Sequence, residues 1–171
     1  MPVPRAASSA PKRNLYGQRE REHYGFTGVR ESVEWVAMRS GYDEDCDGWE
    51  LIRWRGAVAS AIRGKRGQQL LREMADALDA MPNKRLIADE LEDRSSGDVC
   101  AIGSVGRCRG INMGQLDPYE PKSIANAFGV APALVMEIAH VNDEWISGQQ
   151  SPEKRWATVR RWVSEQLQGC R

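Results

Sequence analysis

Histidine is scarce in this chain, whose 171 residues include only two, His23 and His140. Neither histidine lies beside a cysteine, a serine or an acidic pair in a pattern that known catalytic sites use. The sequence also contains neither H-E-x-x-H nor G-x-S-x-G, which mark zinc peptidases and serine hydrolases. The sequence therefore predicts a protein that is not an enzyme and that requires no cofactor.

Cysteine pairs and long apolar runs are also missing. Cys46, Cys100, Cys108 and Cys170 are scattered without a C-x-x-C pair, so in a reducing compartment they are most simply free thiols. No run of about 18 apolar residues is present to span a membrane. Residues 1–14 contain no apolar stretch of the kind found in signal peptides. We therefore expect a cytoplasmic protein without a membrane partner.

The formal net charge is zero, which argues against a protein dedicated to electrostatic nucleic-acid binding. The charges are nevertheless grouped in blocks. Residues 31–50 contain seven acidic residues and one Arg, whereas residues 51–72 contain six basic residues and no acidic one. Such blocks either neutralise one another in the folded chain or leave a basic surface exposed, and the sequence leaves both outcomes open.

The apolar spacing, with its Gly and Pro breaks, predicts a mainly α fold: a compact single-domain bundle of six or seven helices over residues 15–171. Residues 1–14 are predicted to be a disordered arm, and a small two-stranded patch is an option near Val99. The helical patterns cover residues 32–41, 49–63, 68–80 and 84–93, a stretch after Val99, two segments that meet near Gly129, and a final helix capped by Ser151.

The most basic segment runs from Arg53 to Gln68 and has the sequence RWRGAVASAIRGKRGQ. Gly64 and Gly67 break the helix there and would let backbone amides approach a phosphate. The alternative is that the basic residues pair with the acidic blocks on either side. The candidate residues for binding a partner or a phosphate are Arg53, Arg55, Arg63, Lys65 and Arg66.

Arg55 is unusual within the helix predicted over residues 49–63. At about 100° per residue, Leu51, Val58 and Ile62 share one face of this helix, and Arg55 lies close to that face. A half-buried arginine requires a carboxylate or another partner. We therefore expect Arg55 to be partly buried and paired.

Residues 43–48 read D-x-D-x-D-G, the opening of a calcium-binding EF-hand loop. A complete loop needs a bidentate carboxylate at its twelfth position, which here is occupied by Trp54. An acidic cluster before a helix has a simpler role, because Asp45 or Asp47 can cap the helix that begins near Trp49. The sequence therefore predicts a helix cap and no metal site.

A second candidate is a helix-turn-helix over residues 123–138, which in that motif places its second helix in the DNA major groove. The would-be reading helix, APALVMEI, offers only Glu137 as a polar side chain, whereas base readout uses polar or basic side chains. The two-helix shape is therefore better supported than DNA reading. The residues that match the motif are Ile124, Ala125, Phe128, Gly129, Val130, Val135 and Ile138.

Four segments together resemble small proteins of temperate phages and prophages. They are RWRGAVASAIRGKRGQQLLREMADALDAMPNKRLIADELE, DVCAIGSVGRCRGI, AFGVAPALVMEIAHVNDE and SPEKRWATVRRWV, and the resemblance covers roughly residues 40–165. It brings no settled activity and no catalytic residues.

The resemblance implies a phage accessory protein that acts by binding a host or phage protein complex. The leading hypothesis is an inhibitor of a host nucleic-acid-guided defence complex, in the manner of an anti-CRISPR protein. The alternative is a regulatory protein that binds nucleic acid, with the helix-turn-helix-like segment at residues 123–138.

Overall fold

The computed structural model describes residues 48–143 and 150–168. Over these residues the chain is a mainly helical bundle without a β-strand, as the sequence predicts. The expectations for residues 1–47, including the disordered arm, the helix at 32–41 and the acidic cap, lie outside the described residues. The helices are α1 (Gly48–Arg63), α2 (Lys65–Ala80), α3 (Ala101–Arg109), α4 (Pro121–Phe128), α5 (Pro132–Asp143) and α6 (Pro152–Gln166), with a short 3-10 helix at Met113–Gln115.

Two helices, α2 and α5, lie at the centre of the bundle. α2 packs against α1, α3 and α6, whereas α5 packs against α1, α3, α4 and α6. The inner face of α2 is formed by Leu70, Leu71, Met74 and Leu78, each at most 1% exposed. Their spacing gives one continuous apolar stripe, and burying each such side chain contributes roughly 1.5–3 kcal/mol. α2 is therefore the framework to which its neighbours are fixed.

The connection from α2 to α3 is extended, so the helix predicted over residues 84–93 is wrong. Leu86 is fully buried, and its N–H donates to the carbonyl oxygen of Pro152 at 3.0 Å. Asp89 has a φ of 65°, a left-handed conformation that interrupts a helix. A partner from a distant part of the chain therefore overrides the local helical propensity.

The entry to α3 follows the predicted turn into a closely packed helix. The two-stranded patch considered near Val99 is a single antiparallel bridge between Glu92 and Val99. Cys100 then caps α3, because its Sγ accepts a hydrogen bond from the Gly103 N–H at 3.3 Å. A Cβ atom on Gly103 would lie 2.0 Å from the carbonyl oxygen of Leu91, so only glycine permits this approach.

α4 and α5 meet at Gly129, as predicted, and the chain changes direction by 110° between them. Gly129 has a φ of 68°, and the Val130 N–H donates to the carbonyl oxygen of Ala125 at 3.0 Å, the arrangement of a glycine helix stop. In the described part of the chain, no single helix has the length and apolar composition to cross a membrane. This bent pair meets that criterion only when its two helices are counted together.

The start of α6 confirms the predicted cap. The Ser151 side chain accepts a hydrogen bond from the Lys154 N–H at 3.3 Å, and Pro152 occupies the first helical position. At about 100° per residue, Trp162 lies off the side of α6 that carries Val159 and Val163, but it is only 4% exposed. Trp162 therefore extends the core and is not a surface residue.

Arg155 is buried where α6 meets α5 and the α2–α3 connection. Its Nε donates to the carbonyl oxygen of Asn142 at 2.8 Å, and its Nη1 donates to that of Leu86 at 3.0 Å. The side chain of Asn142 continues the network, because its Nδ2 donates to the carbonyl oxygen of Ile87 at 2.9 Å. These bonds give the buried extended segment the backbone partners that a helix would otherwise supply.

Candidate functional site

The corner between α1 and α2 brings three of the candidate cations together. α1 ends at Arg63 and α2 begins at Lys65, so Gly64 alone links them, with extended backbone at φ −64° and ψ 149°. The break predicted over Gly64–Gly67 is therefore too long, because one extended residue is enough to redirect the chain. As a result, Lys65 and Arg66 are the first two residues of α2.

The corner is held by close packing and by one buried amide. A Cβ atom on Gly67 would lie 2.0 Å from the carbonyl oxygen of Ala61, so α1 and α2 touch through their backbones. The buried Gln68 donates from Nε2 to the carbonyl oxygens of Ile62 at 2.9 Å and Gln166 at 3.0 Å. The ends of α1 and α6 are therefore fixed to the start of α2, and the cations project from an anchored backbone.

All five candidate cations are exposed: Arg53, Arg55, Arg63, Lys65 and Arg66. Arg53 lies 4.0 Å from the carboxylate of Glu50, and both side chains are more than half exposed. An exposed pair of this kind contributes at most about 0.5 kcal/mol. None of the other four pairs with a carboxylate of the described residues.

Four of the eight acidic residues at 73–98 pair with other arginines instead. A hydrogen bond from Arg109 lowers the pKa of the Glu73 carboxyl, and one from Arg160 lowers the pKa of Asp79. These four acids are therefore engaged away from the basic segment. The upstream acids at residues 31–47 lie outside the described residues. The ion pairs are Glu73–Arg109 at 2.6 Å, Asp79–Arg160 at 2.7 Å, Glu92–Arg107 at 2.9 Å and Asp98–Arg85 at 3.4 Å.

Arg55 is exposed, so the prediction that it is half-buried is wrong. The buried residues of α1, Val58 and Ile62, belong to its C-terminal half. The first ten residues of the helix, 48–57, contain no buried residue. Arg55 is on the side that helical spacing indicates, but it lies in the half of α1 where even the apolar Leu51 and Trp54 are only partly buried.

The same half of α1 exposes two large apolar side chains that sequence analysis did not single out. Trp49 is 74% exposed and Ile52 is 60% exposed. At about 100° per residue, Trp49 lies opposite the side of the helix that carries Val58 and Ile62, and Ile52 lies beside that side. The same helical spacing that places Val58 in the core therefore also indicates that Trp49 is exposed.

The candidate cations form two groups on α1 and α2. Arg55 and Arg63 are eight residues apart in one helix, which corresponds to about 12 Å along its axis. We call Trp49, Ile52, Arg53 and Arg55 the α1 tip, and we call Arg63, Lys65 and Arg66 the basic corner. The α1 tip combines apolar and cationic side chains, whereas the basic corner is purely cationic.

The helix-turn-helix candidate has the shape of the motif without its reading surface. The 110° change of direction between α4 and α5 falls in the range of that motif. However, α5 is a central helix, and Leu134, Val135 and Ile138 are at most 2% exposed. Its polar residue Glu137 is also buried, at 7% exposed. Over residues 131–139, α5 therefore presents no exposed polar side chain to a DNA base.

An apolar cleft lies between α3, α4 and α5, lined by residues that include Ile102, Ile124 and Val135. The buried amide of Asn142 at its edge already bonds the Ala101 N–H at 3.2 Å and Asp143 at 2.6 Å. The cleft therefore offers a ligand little beyond apolar contact. Within the described ranges, no three His, Cys, Asp or Glu side chains are grouped to hold a metal ion.

Comparison with protein-family models, curated proteins and solved structures finds no match to this chain. The function therefore has to be inferred from the surface of the molecule. In the part of the chain that the structure describes, the α1 tip and the basic corner distinguish this surface.

Proposed function

We propose that this protein acts by binding a protein partner through the α1 tip and performs no catalysis. The observation that carries the proposal is the exposure of Trp49 and Ile52, at 74% and 60%, on the half of α1 that buries no residue. Neighbouring large apolar side chains that remain exposed are characteristic of interaction sites. Trp and Arg are also the residue types that contribute most at protein interfaces.

The chemistry of the α1 tip describes the partner surface. Trp49 and Ile52 are three residues apart and therefore neighbours on the helix, the spacing of anchors that enter an apolar groove. Arg53 and Arg55 flank them, and only Arg53 has a nearby carboxylate among the described residues. The partner we propose is a protein with an apolar groove whose rim carries carboxylates. Charge complementarity of this kind speeds association and fixes the orientation of the helix.

The resemblance to phage and prophage proteins supports a host protein complex as the partner. The candidate we favour is a nucleic-acid-guided defence complex, which binding would inhibit by occupying a functional surface. A regulator that reads DNA through residues 123–138 is the weaker candidate, since the α4–α5 shape supports it but the buried surface of α5 does not.

The test compares two variants of the full chain that change exposed apolar residues. W49A/I52A removes the anchors of the α1 tip. The matched control Y119A removes a side chain that is 51% exposed on the loop before α4. Each protein is used as bait in a nuclease-treated bacterial lysate. Every captured protein is then purified and titrated against each variant by calorimetry.

We expect one captured protein to form a stoichiometric complex that survives moderate salt. Its affinity should fall at least tenfold for W49A/I52A and stay within twofold for Y119A, because a buried apolar anchor contributes roughly 1.5–3 kcal/mol. Equal binding by wild type and W49A/I52A would rule out the α1 tip. Sedimentation would also contradict the proposal if the wild type were a homodimer and the only effect of W49A/I52A were to make the protein monomeric.

A further inference from the structure

We infer that the basic corner, together with Arg72, binds the phosphate backbone of a nucleic acid, separately from the α1 tip. The segment from residue 51 to residue 72 contains no acidic residue, and Glu73, which follows it, pairs with Arg109. Lys65 and Arg72 are seven residues apart on one exposed face of α2, about 10 Å along the axis. Two further cations lie beside this face. Arg63 is the last residue of α1, before Gly64, and Arg66 follows Lys65 in the first turn of α2.

The cations of the corner are not committed to structural roles. Arg63, Lys65, Arg66 and Arg72 are exposed, and none forms an ion pair with a described carboxylate. By contrast, four other arginines each pair with an acidic residue of the bundle. They are Arg85, Arg107, Arg109 and Arg160. Exposed cations that form no ion pair within residues 48–143 and 150–168 give the corner a local positive surface, able to attract a polyanion at short range.

The composition of the corner favours phosphate over an acidic protein. Protein interfaces are built around apolar or aromatic anchors. Here the only exposed residue between the cations from Arg63 to Arg72 is Gln69, because Gly64 is partly buried and the others are buried, so the corner exposes no anchor. The buried residues are Gly67, Gln68, Leu70 and Leu71. Arg, Lys and Gln side chains are the groups that contact phosphate oxygens in nucleic-acid complexes. The α1 tip has the opposite character and therefore suits a different partner.

The backbone of the corner is already fixed before a ligand binds. The contact between Gly67 and Ala61 and the hydrogen bonds of Gln68 hold α1, α2 and α6 together. Binding therefore orders side chains only, which lowers its entropic cost. The basic corner itself contains no aromatic side chain to stack on a base, and its cations suit contacts to phosphate, so we expect binding that does not depend on sequence.

The experiment measures fluorescence anisotropy of labelled 20-nucleotide single-stranded DNA, single-stranded RNA and duplex DNA with the purified full chain from 50 to 200 mM salt. Polyglutamate is the competitor that represents an acidic protein. The test variant is K65A/R66A. The matched control is K154A/R161A, which removes the same charge from exposed positions of α6.

We expect a salt slope near −3 for single strands if four phosphates are contacted, and a slope shallower by roughly 1.5 in K65A/R66A. K154A/R161A should retain the wild-type slope. Preference among the three probes identifies the kind of nucleic acid that is bound. An unchanged slope in K65A/R66A, an equal loss in the control, or stronger binding to polyglutamate would each overturn the inference. Since no protein partner is present, the result does not depend on the α1 tip.

Discussion

Gly67 lies against the backbone of Ala61, with a Cβ atom built on Gly67 only 2.0 Å from the Ala61 carbonyl oxygen. The obstacle is backbone and not a flexible side chain, so it cannot move without displacing α1 from α2. The contact therefore sets the distance between the two helices that carry the α1 tip and the basic corner.

Gly67→Ala should destabilise the protein by about 1–3 kcal/mol, because overpacking forces the surrounding backbone to shift. The measurement is the free energy of unfolding in urea. Gly56→Ala is the matched control, since no atom lies within 4 Å of a Cβ atom at that helical position. We expect Gly56→Ala to stabilise the protein by up to about 1 kcal/mol through helix propensity. Equal stability of the two variants would contradict the close approach of Gly67 to the Ala61 carbonyl oxygen.

Gln68→Ala should cost roughly 2–3 kcal/mol. The substitution removes the hydrogen bonds to Ile62 and Gln166, and also the one that Gln68 Oε1 accepts from the Gln168 N–H at 2.8 Å. It leaves buried backbone groups unsatisfied. The adjacent Gln69→Ala is the control, because Gln69 is exposed and bonds only Glu73 at 2.8 Å. Urea unfolding should show a change within about 0.5 kcal/mol for Gln69→Ala.

Arg155→Met should destabilise the protein by about 2–4 kcal/mol, since the buried carbonyl groups of Asn142 and Leu86 lose their donors. Replacing a buried charge with an apolar side chain also removes a desolvation cost. In Arg155→Met the two carbonyl groups stay buried without a donor, so we expect the lost hydrogen bonds to outweigh the relieved desolvation cost. Calorimetric melting checks this result against Arg161→Met at an exposed position, and a variant more stable than the wild type would mean that desolvation dominates.

Asp93 should make the stability depend on pH below pH 4. Its carboxylate accepts hydrogen bonds from the Ser95 N–H at 2.8 Å, the Ser95 hydroxyl at 2.7 Å and the Ser96 hydroxyl at 2.7 Å. Bonds from Ser95, followed by those from Ser96, lower the pKa of Asp93 from 3.8 to about 2. The folded pKa lies below the unfolded one, so this stabilisation is present above about pH 4 and is lost as the pH falls to about 2.

The measurement for Asp93 is the urea midpoint of the wild type and Asp93→Asn between pH 2 and pH 6. The difference in favour of the wild type should shrink as the pH falls from 4 to 2. Glu165→Gln is the control, because Glu165 is exposed and its side chain makes no hydrogen bond or ion pair in the described residues. A difference that stays constant over this range would show that the charge of Asp93 is not involved.

The helical parts of the fold could be predicted because their signals are local. The Ser151 cap, the glycine stop at Gly129 and the apolar face of α2 each depend on residues within one or two turns. Residues 84–93 have helical composition, but their conformation depends on a hydrogen bond from Leu86 to Pro152, a residue far away in the chain. Sequence periodicity contains no information about that partner.

The candidate site was predicted only in part, for a related reason. Helical spacing gives the direction in which Arg55 and Trp49 point, but exposure depends on where neighbouring helices end. The charge pattern therefore indicated the cations of the basic corner, whereas the predicted half-burial of Arg55 is wrong. Residue type alone does not distinguish Trp162, which is in the core, from Trp49, which is on the surface.

The uneven burial of α1 means that one continuous helix has two levels of protection against local opening. We expect amides after Val58 to exchange with solvent mainly when the bundle opens, and those of residues 52–57 to exchange whenever the helix frays. Hydrogen–deuterium exchange on this helix then distinguishes the two surfaces in a single spectrum. A partner on the α1 tip slows exchange at residues 52–57, and a polyanion on the basic corner leaves those amides at their original rate.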